Sequence, residues 1–260
     1  MVTGPLPPLQ AADALVHTRE TIINIAAEHG LRATFAPRVF KDTIGGGLHT
    51  HISVHDTAAA KHAHLHASLP AAPSQDLSPP EASFLAGLLD SLPSLALLTL
   101  PMRASYARMM DGIWSGGTYV CWGTDVRESP IRLCAARGGR GARNFELRTV
   151  DATENVYAAL AGVLGVGARG VREGMKLEMG DCGVLLGEAG MQVKTVAEMG
   201  EAERGAYGIG ARMPLTWEEA RETMAASTVL KGVLGERFVD GYMSVNKVSL
   251  YFFFFGPTLN

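Results

Sequence analysis

Basic charge is in short supply in this sequence. Its 260 residues carry 23 Lys and Arg against 26 Asp and Glu, a formal net charge of -3 at pH 7. Without a positive excess there is no field to hold a nucleic-acid backbone, so no nucleic-acid partner is expected and any phosphate recognition must be local. Cysteine is equally sparse. Cys121, Cys134 and Cys182 are odd in number and lack zinc-ligand or redox spacing. They read as small core residues of a reduced, cytoplasmic protein. The opening residues MVTGPLPPLQ offer neither a basic start nor an apolar run of leader length, so secretion is not expected. The lipid-like stretch, Leu250 to Phe255 (LYFFFF), is far short of the ~20 apolar residues that span a bilayer, and no membrane partner is expected.

Core material is plentiful. Hydrophobic residues make up 47% of the chain and charged residues 19%, which suits one sizeable domain. Ala11 to His29 is a predicted helix, with Leu15, Ile22, Ile25 and Ala26 on one face and Gly30 as its C-terminal cap. Arg32 to Phe35 is a short strand candidate. Glu81 to Leu98 reads as a helix whose apolar face, Phe84, Leu85, Leu88, Leu89 and Leu92, is interrupted by Pro93. Glu154 to Arg169 reads as another, with Tyr157, Leu160, Ala161 and Leu164 inward, and Thr216 with Glu219 has capping-box spacing at the start of a third. Thr57 to Pro80, rich in Ala, Ser, Pro and His, reads as a surface excursion, and Lys61 to His66 within it as solvent-exposed.

The polar residues of interest sit on alternating strand faces. In Leu48 to His55 (LHTHISVH) the histidines 49, 51 and 55 share a face with Ser53, just after a loop of glycines at 45 to 47. Thr118 to Gly123, Ile131 to Ala135 and Asn144 to Val150 read as further strands. In the last, Asn144, Glu146 and Arg148 face opposite Phe145, Leu147 and Thr149. Taken singly, a strand histidine is more often structural than a ligand, and Glu146 with Arg148 could be an exposed pair. As an ordered set they suit activation of a carboxylate by phosphoryl transfer. That chemistry needs cations on phosphate oxygens and an arginine for a carboxylate.

GGGLHTHIS (45–53), SYARM (105–109), RESPIR (127–132) and FELR (145–148), followed by Asp151 and Asn155-Val156-Tyr157, resemble the C-terminal half of a glutamine synthetase. DGIWSGGTYVCWG (111–123) resembles the fungal type most, including the synthetase-like part fused to an amidohydrolase in a developmental-signal protein. The resemblance implies an α+β fold: a curved, mostly antiparallel sheet with helices packed behind it, present here incompletely. It implies an ATP-dependent ligase that amidates the side-chain carboxylate of glutamate through an acyl phosphate, with ammonium or another amine as acceptor and Mg2+ or Mn2+ as cofactor. His49 and Glu146 match metal ligands. His51, Ser53, Arg127 and Arg132 match residues beside ATP, Arg127 and Glu146 carry the catalytic roles, and Gly45, Arg108 and Arg148 match the glutamate site. The intact protein is expected to form a homo-oligomeric ring.

The departures from that pattern also carry expectations. Trp114 stands where the family has a glutamate that binds ammonium, Asn144 where it has an arginine beside the nucleotide, and Ile44 where it has an asparagine. A glutamate–organic amine ligase is therefore one alternative, and a non-catalytic module in assembly or developmental signalling another. Residues 1–247 align with the catalytic domain, whose other metal-binding glutamates would precede Met1, so the chain alone is expected to lack ligase activity. Residues 248–260 read as an aberrant tail, with translated intron as its expected origin, because Lys247-Val248-Ser249 can be encoded by a splice-donor sequence.

Overall fold

A computed structural model describes residues 2–39, 45–55, 77–112, 116–134, 143–185 and 194–255. Ile44, Trp114, Lys61 to His66, most of the 57–80 excursion and the last five residues of the tail lie outside them.

The element that organises the core is α2 (Pro79–Thr99), which follows α1 (Pro8–Glu28) and β1 (Leu48–Ile52). Leu85, Leu88, Leu92, Leu95, Leu97 and Leu98 are each at most 1% exposed, so this helix is apolar on nearly every side. Burial on that scale explains why Pro93 does not end it: the lost hydrogen bond is outweighed by the packing, and the helix runs on to Thr99. By length and composition α2 could cross a membrane, but 78% of its most apolar window is buried inside the protein, which marks a core helix. The run 250–255 is thus not the most lipid-like part of the molecule.

The short helix α3 (Arg103–Tyr106) leads to β2 (Trp122–Thr124), β3 (Ile131–Cys134) and β4 (Asn144–Val150). The sheet order is β1-β4-β3-β2, with β4 antiparallel to both neighbours and β2 parallel to β3. The expected α+β class with a mostly antiparallel sheet is what the chain adopts. Two strand predictions need correcting. Residues 32–35 are not a strand, and β1 ends at Ile52 rather than His55. Residues 118–120 instead pair with 211–213, through Val120 N–H to Ala211 O (3.0 Å) and Met213 N–H to Thr118 O (2.9 Å).

Behind the sheet, α4 (Val156–Glu173) lies on α2 with a face only partly the predicted one, Leu164 packing against the core as expected. Tyr157 is 44% exposed and Ala161 is also exposed, whereas Ala159, Val163, Val166 and three glycines are buried. Backbone contact decides this. A Cβ on Gly170 would sit 2.1 Å from Ser83 O and 2.9 Å from Gly87 N, so the two helices touch where neither has a side chain. A search for apolar spacing does not count glycine as a packing residue. Past α4, α5 (Glu201–Ala206), α6 (Trp217–Ala226), α7 (Thr228–Leu234) and α8 (Glu236–Phe255) complete the chain, and α8 runs unbroken across Lys247. Thr216 caps α6 by accepting from Glu219 N–H (3.2 Å), while the Glu219 carboxylate reaches Leu215 N–H (2.8 Å).

Cys121 and Cys182 lie in a second, smaller core with Val196, Met199 and Ile209, as the core reading of these thiols required. Asp181 fixes it to the sheet, accepting from Thr124 N–H (2.8 Å) and Thr124 Oγ1–H (2.6 Å).

Candidate active site

Strand alternation sends one side of β4 into the core, with Phe145 2% and Leu147 1% exposed, and turns Asn144, Glu146 and Arg148 to the other side. The register then places His51 of β1 and Arg132 of β3 directly opposite Glu146. Glu146 becomes a hub. Its Oε1 accepts from His49 Nδ1 at 2.7 Å and Arg148 Nη1 at 3.0 Å, and its Oε2 pairs with Arg132 Nε at 2.7 Å. His51 Nε2 stands farther off, 3.7 Å from Oε1, and its Nδ1 hydrogen-bonds Asn144 Oδ1 at 2.7 Å. An irregular register between Leu48 and Thr50 lets His49, not the directly opposed His51, make the shorter contact.

The electrostatics follow from these distances. Burial alone pushes the Glu146 carboxyl up, but the His49 hydrogen bond and the charges of Arg148 and Arg132 outweigh it and hold the group at about 2. His51 is shifted up, chiefly by contact with the Cys134 thiol against the opposing effect of burial, with Asn144 and Glu146 adding to the rise. Cys134 belongs to this face: its Sγ is 3.3 Å from Arg132 Nε and 4.0 Å from Glu146 Oε2. The core reading of that cysteine was wrong. It lies two residues after Arg132 on β3, so alternation alone gave the signal.

Arg108 adjoins the cluster beneath the glycine loop. A Cβ on Gly45 would lie 2.9 Å from Arg108 Cδ, and one on Gly47 2.8 Å from Arg108 Nη2, so the loop can lie on the arginine only because both positions lack side chains. Burial, with some help from Arg148, lowers the Arg108 guanidinium against the pull of Asp151. Arg127 enters differently from expectation. Its side chain is exposed, and its backbone carbonyl accepts from Arg148 Nε at 3.1 Å. Ser53 is exposed, just past the end of β1. The structure therefore brings together His49, His51, Arg132, Glu146 and Arg148, sets Gly45 and Arg108 beside them, and leaves the Arg127 and Ser53 side chains at the margin.

The two residues matched to metal ligands, His49 and Glu146, bond to each other, and the second carboxylate oxygen of Glu146 is taken by Arg132. Among the described residues no three His, Cys, Asp or Glu side chains converge in a way that could hold a metal. Mg2+ or Mn2+ takes about six oxygen-rich ligands. These residues do not fit a divalent cation by themselves.

The comparisons with known proteins give the family of this α+β domain, which carries arginines, histidines and a carboxylate on one sheet face. The model for the glutamine synthetase catalytic domain matches residues 4–254. The chain belongs to that family of ligases. It is 32% identical over 246 residues to Protein fluG of Emericella nidulans, covering 95% of this chain and 24% of that protein. It is 33% identical over 244 residues to the gamma-glutamylpolyamine synthetase GlnA3 of Streptomyces coelicolor, covering 93% of this chain and 48% of the other. A crystal structure described as a novel glutamine synthase homolog superimposes with a TM-score of 0.67 at 26% identity, over 96% of this chain and 51% of that one. The chain thus spans about half the length of that structure and of the Streptomyces relative, and less of the fungal protein.

Proposed function

We propose that this chain carries the phosphate- and glutamate-binding face of an ATP-dependent ligase that amidates the side-chain carboxylate of glutamate. The single observation behind this reading is the buried Glu146 carboxylate bracketed by Arg132, Arg148 and His49 on one sheet face. Arg108 and Arg148, with the backbone at Gly45, hold the amino-acid substrate. Arg132, Arg127, His51 and Ser53 face the phosphates of ATP. The glutamate carboxylate attacks the terminal phosphorus, forming the acyl–oxygen–phosphorus bond as the bond to ADP breaks. An amine then attacks the acyl carbon and inorganic phosphate leaves. Arg132 contributes a fixed positive charge, already oriented by its ion pair, where negative charge accumulates.

A second reading concerns the acceptor. GlnA3, the 33%-identical relative, is named a gamma-glutamylpolyamine synthetase, and Trp114 replaces the glutamate that the family resemblance places at the ammonium site. A polyamine or other organic amine is the corresponding acceptor here.

Calorimetric titration of ATP tests both readings. With Mn2+ present, ATP is expected to bind, to bind more tightly once glutamate is added, and to lose about tenfold in affinity in Arg132→Met, the order of one charge-assisted contact. Heat from spermidine but not ammonium on the loaded chain selects the organic-amine reading. No coupled binding of ATP and glutamate would discard the ligase assignment in favour of a non-catalytic module.

A further inference from the structure

Both carboxylate oxygens of Glu146 are engaged in ion pairs. Arg148 and His49 share one of its oxygens and Arg132 holds the other, all within 3.0 Å. A carboxylate in this state is the internal counter-ion of a cationic cluster. A divalent cation approaching it would stand beside two fixed guanidinium charges.

Access points the same way. The Glu146 side chain is 3% exposed, while those of Arg132, His49 and His51 are 20%, 35% and 48% exposed. A solute reaching this face meets guanidinium and imidazole first, with the carboxylate beneath them. Arg132 turns its Nε inward to Glu146 and Cys134, and its two terminal nitrogens have no partner among the described residues. His49 is in a similar position, because Nδ1 is committed to Glu146 and leaves Nε2 as the outer nitrogen.

We propose that this face is an anion cradle which binds a phosphoryl or polyphosphate group directly, without a bridging divalent cation, through the terminal nitrogens of Arg132 and the outer nitrogen of His49. The proposal rests on the ligase reading for the identity of its ligand, yet it differs from that reading in what holds the ligand. The cradle is organised before any ligand arrives, because Glu146 already fixes the guanidiniums by short contacts.

Inorganic pyrophosphate is the probe, titrated calorimetrically into the purified chain once in EDTA and once in Mn2+. The dissociation constant in EDTA is expected to lie within about threefold of that in Mn2+, a change smaller than the loss of one charged contact. Arg132→Met is expected to weaken binding in EDTA about tenfold. Arg132→Lys keeps the charge but cannot place one nitrogen inward and two outward, and a similar loss is expected from it. If Arg132→Met fails to fold, the lysine variant and the chelator comparison on the unaltered chain still decide. Pyrophosphate binding that appears only with Mn2+ overturns the cradle and leaves the ligase reading standing. Absence of pyrophosphate binding in both buffers, while ATP and glutamate still bind together, also overturns the cradle alone. Loss of every one of these binding events overturns both.

Discussion

Two glutamates flank the C-terminal end of β4, and both are nearly sealed from solvent: Glu146 is 2% exposed and Glu154 6%. Their chemistry is opposite. Glu146 accepts three short contacts from cations or donors and is held at about 2. Among the described residues the Glu154 carboxylate has one partner, Arg19 of α1, at 3.4 Å, and faces Asp151 and Tyr242 besides. Burial dominates there, and its carboxyl is pushed up to about 7, with Asp151 adding to the rise and Arg19 opposing it. Two of its neighbours carry buried polar atoms with no hydrogen-bond partner among the described residues, Arg19 Nε and Asp151 Oδ2. Similar solvent exposure therefore accompanies a fixed anion in one place and a titrating acid in the other. The number and distance of cationic partners decide which.

The largest expected effect tests the first half of that contrast. Glu146→Gln keeps the shape and removes the charge that Arg148, whose side chain is only 6% exposed, pairs with at 3.0 Å. Breaking one side of a buried ionic cluster costs about 3–5 kcal/mol, so urea unfolding should show a loss of that order. A loss below about 1 kcal/mol would mean that the cluster is solvated like a surface pair. The contrast with Glu154 would then be one of degree.

The second effect has a pH signature. A carboxyl raised from its ordinary 4.5 to about 7 binds its proton more tightly in the folded protein than in the unfolded chain. Its stabilising contribution is complete below about pH 4.5, declines as pH rises, and is gone above the folded value near 7. A shift of that size corresponds to roughly 3 kcal/mol. Glu154→Gln removes the titration. Its stability relative to the parent should therefore improve by about 2–3 kcal/mol between pH 4.5 and pH 7.5, measured by denaturant unfolding at each pH. A difference that stays flat across that range would show that Glu154 ionises normally.

The sequence made one of these glutamates readable and concealed the other. NFELRTV alternates with a period of two, so the face shared by Asn144, Glu146 and Arg148 follows from the pleat. The same rule on β1 and β3 supplies His49, His51 and Arg132. What could not be read is which oxygen meets which nitrogen, because the irregular register at residues 48–50 exchanges the roles of two histidines. Glu154 looks like any acidic residue at a helix start. Its burial depends on Arg19, which is 135 positions away in the chain, and no local pattern reports such a contact. The inward face of α4 was hidden for a related reason. Gly162, Gly167 and Gly170 pack by having no side chain, and hydrophobic spacing cannot detect that.

The smallest expected effect separates Glu154 from its surroundings. α1 meets α4 through a second polar contact, in which the Tyr157 hydroxyl donates to Asp13 at 2.7 Å. Its length is ideal, shorter than the Arg19 to Glu154 pair. If bond length ranked importance, Tyr157→Phe would loosen α1 more than any change at Glu154. Solvent argues otherwise: Tyr157 is 44% exposed, and water replaces an exposed hydrogen bond at little cost. The Phe variant is expected to melt with its parent at every pH from 5 to 8, and amide exchange in α1 should be unchanged. A lower midpoint that appears only above pH 7 would mean that this surface contact helps hold α1 against an ionised Glu154. The two contacts would then act as one unit, and the isolation assigned to Glu154 would be wrong.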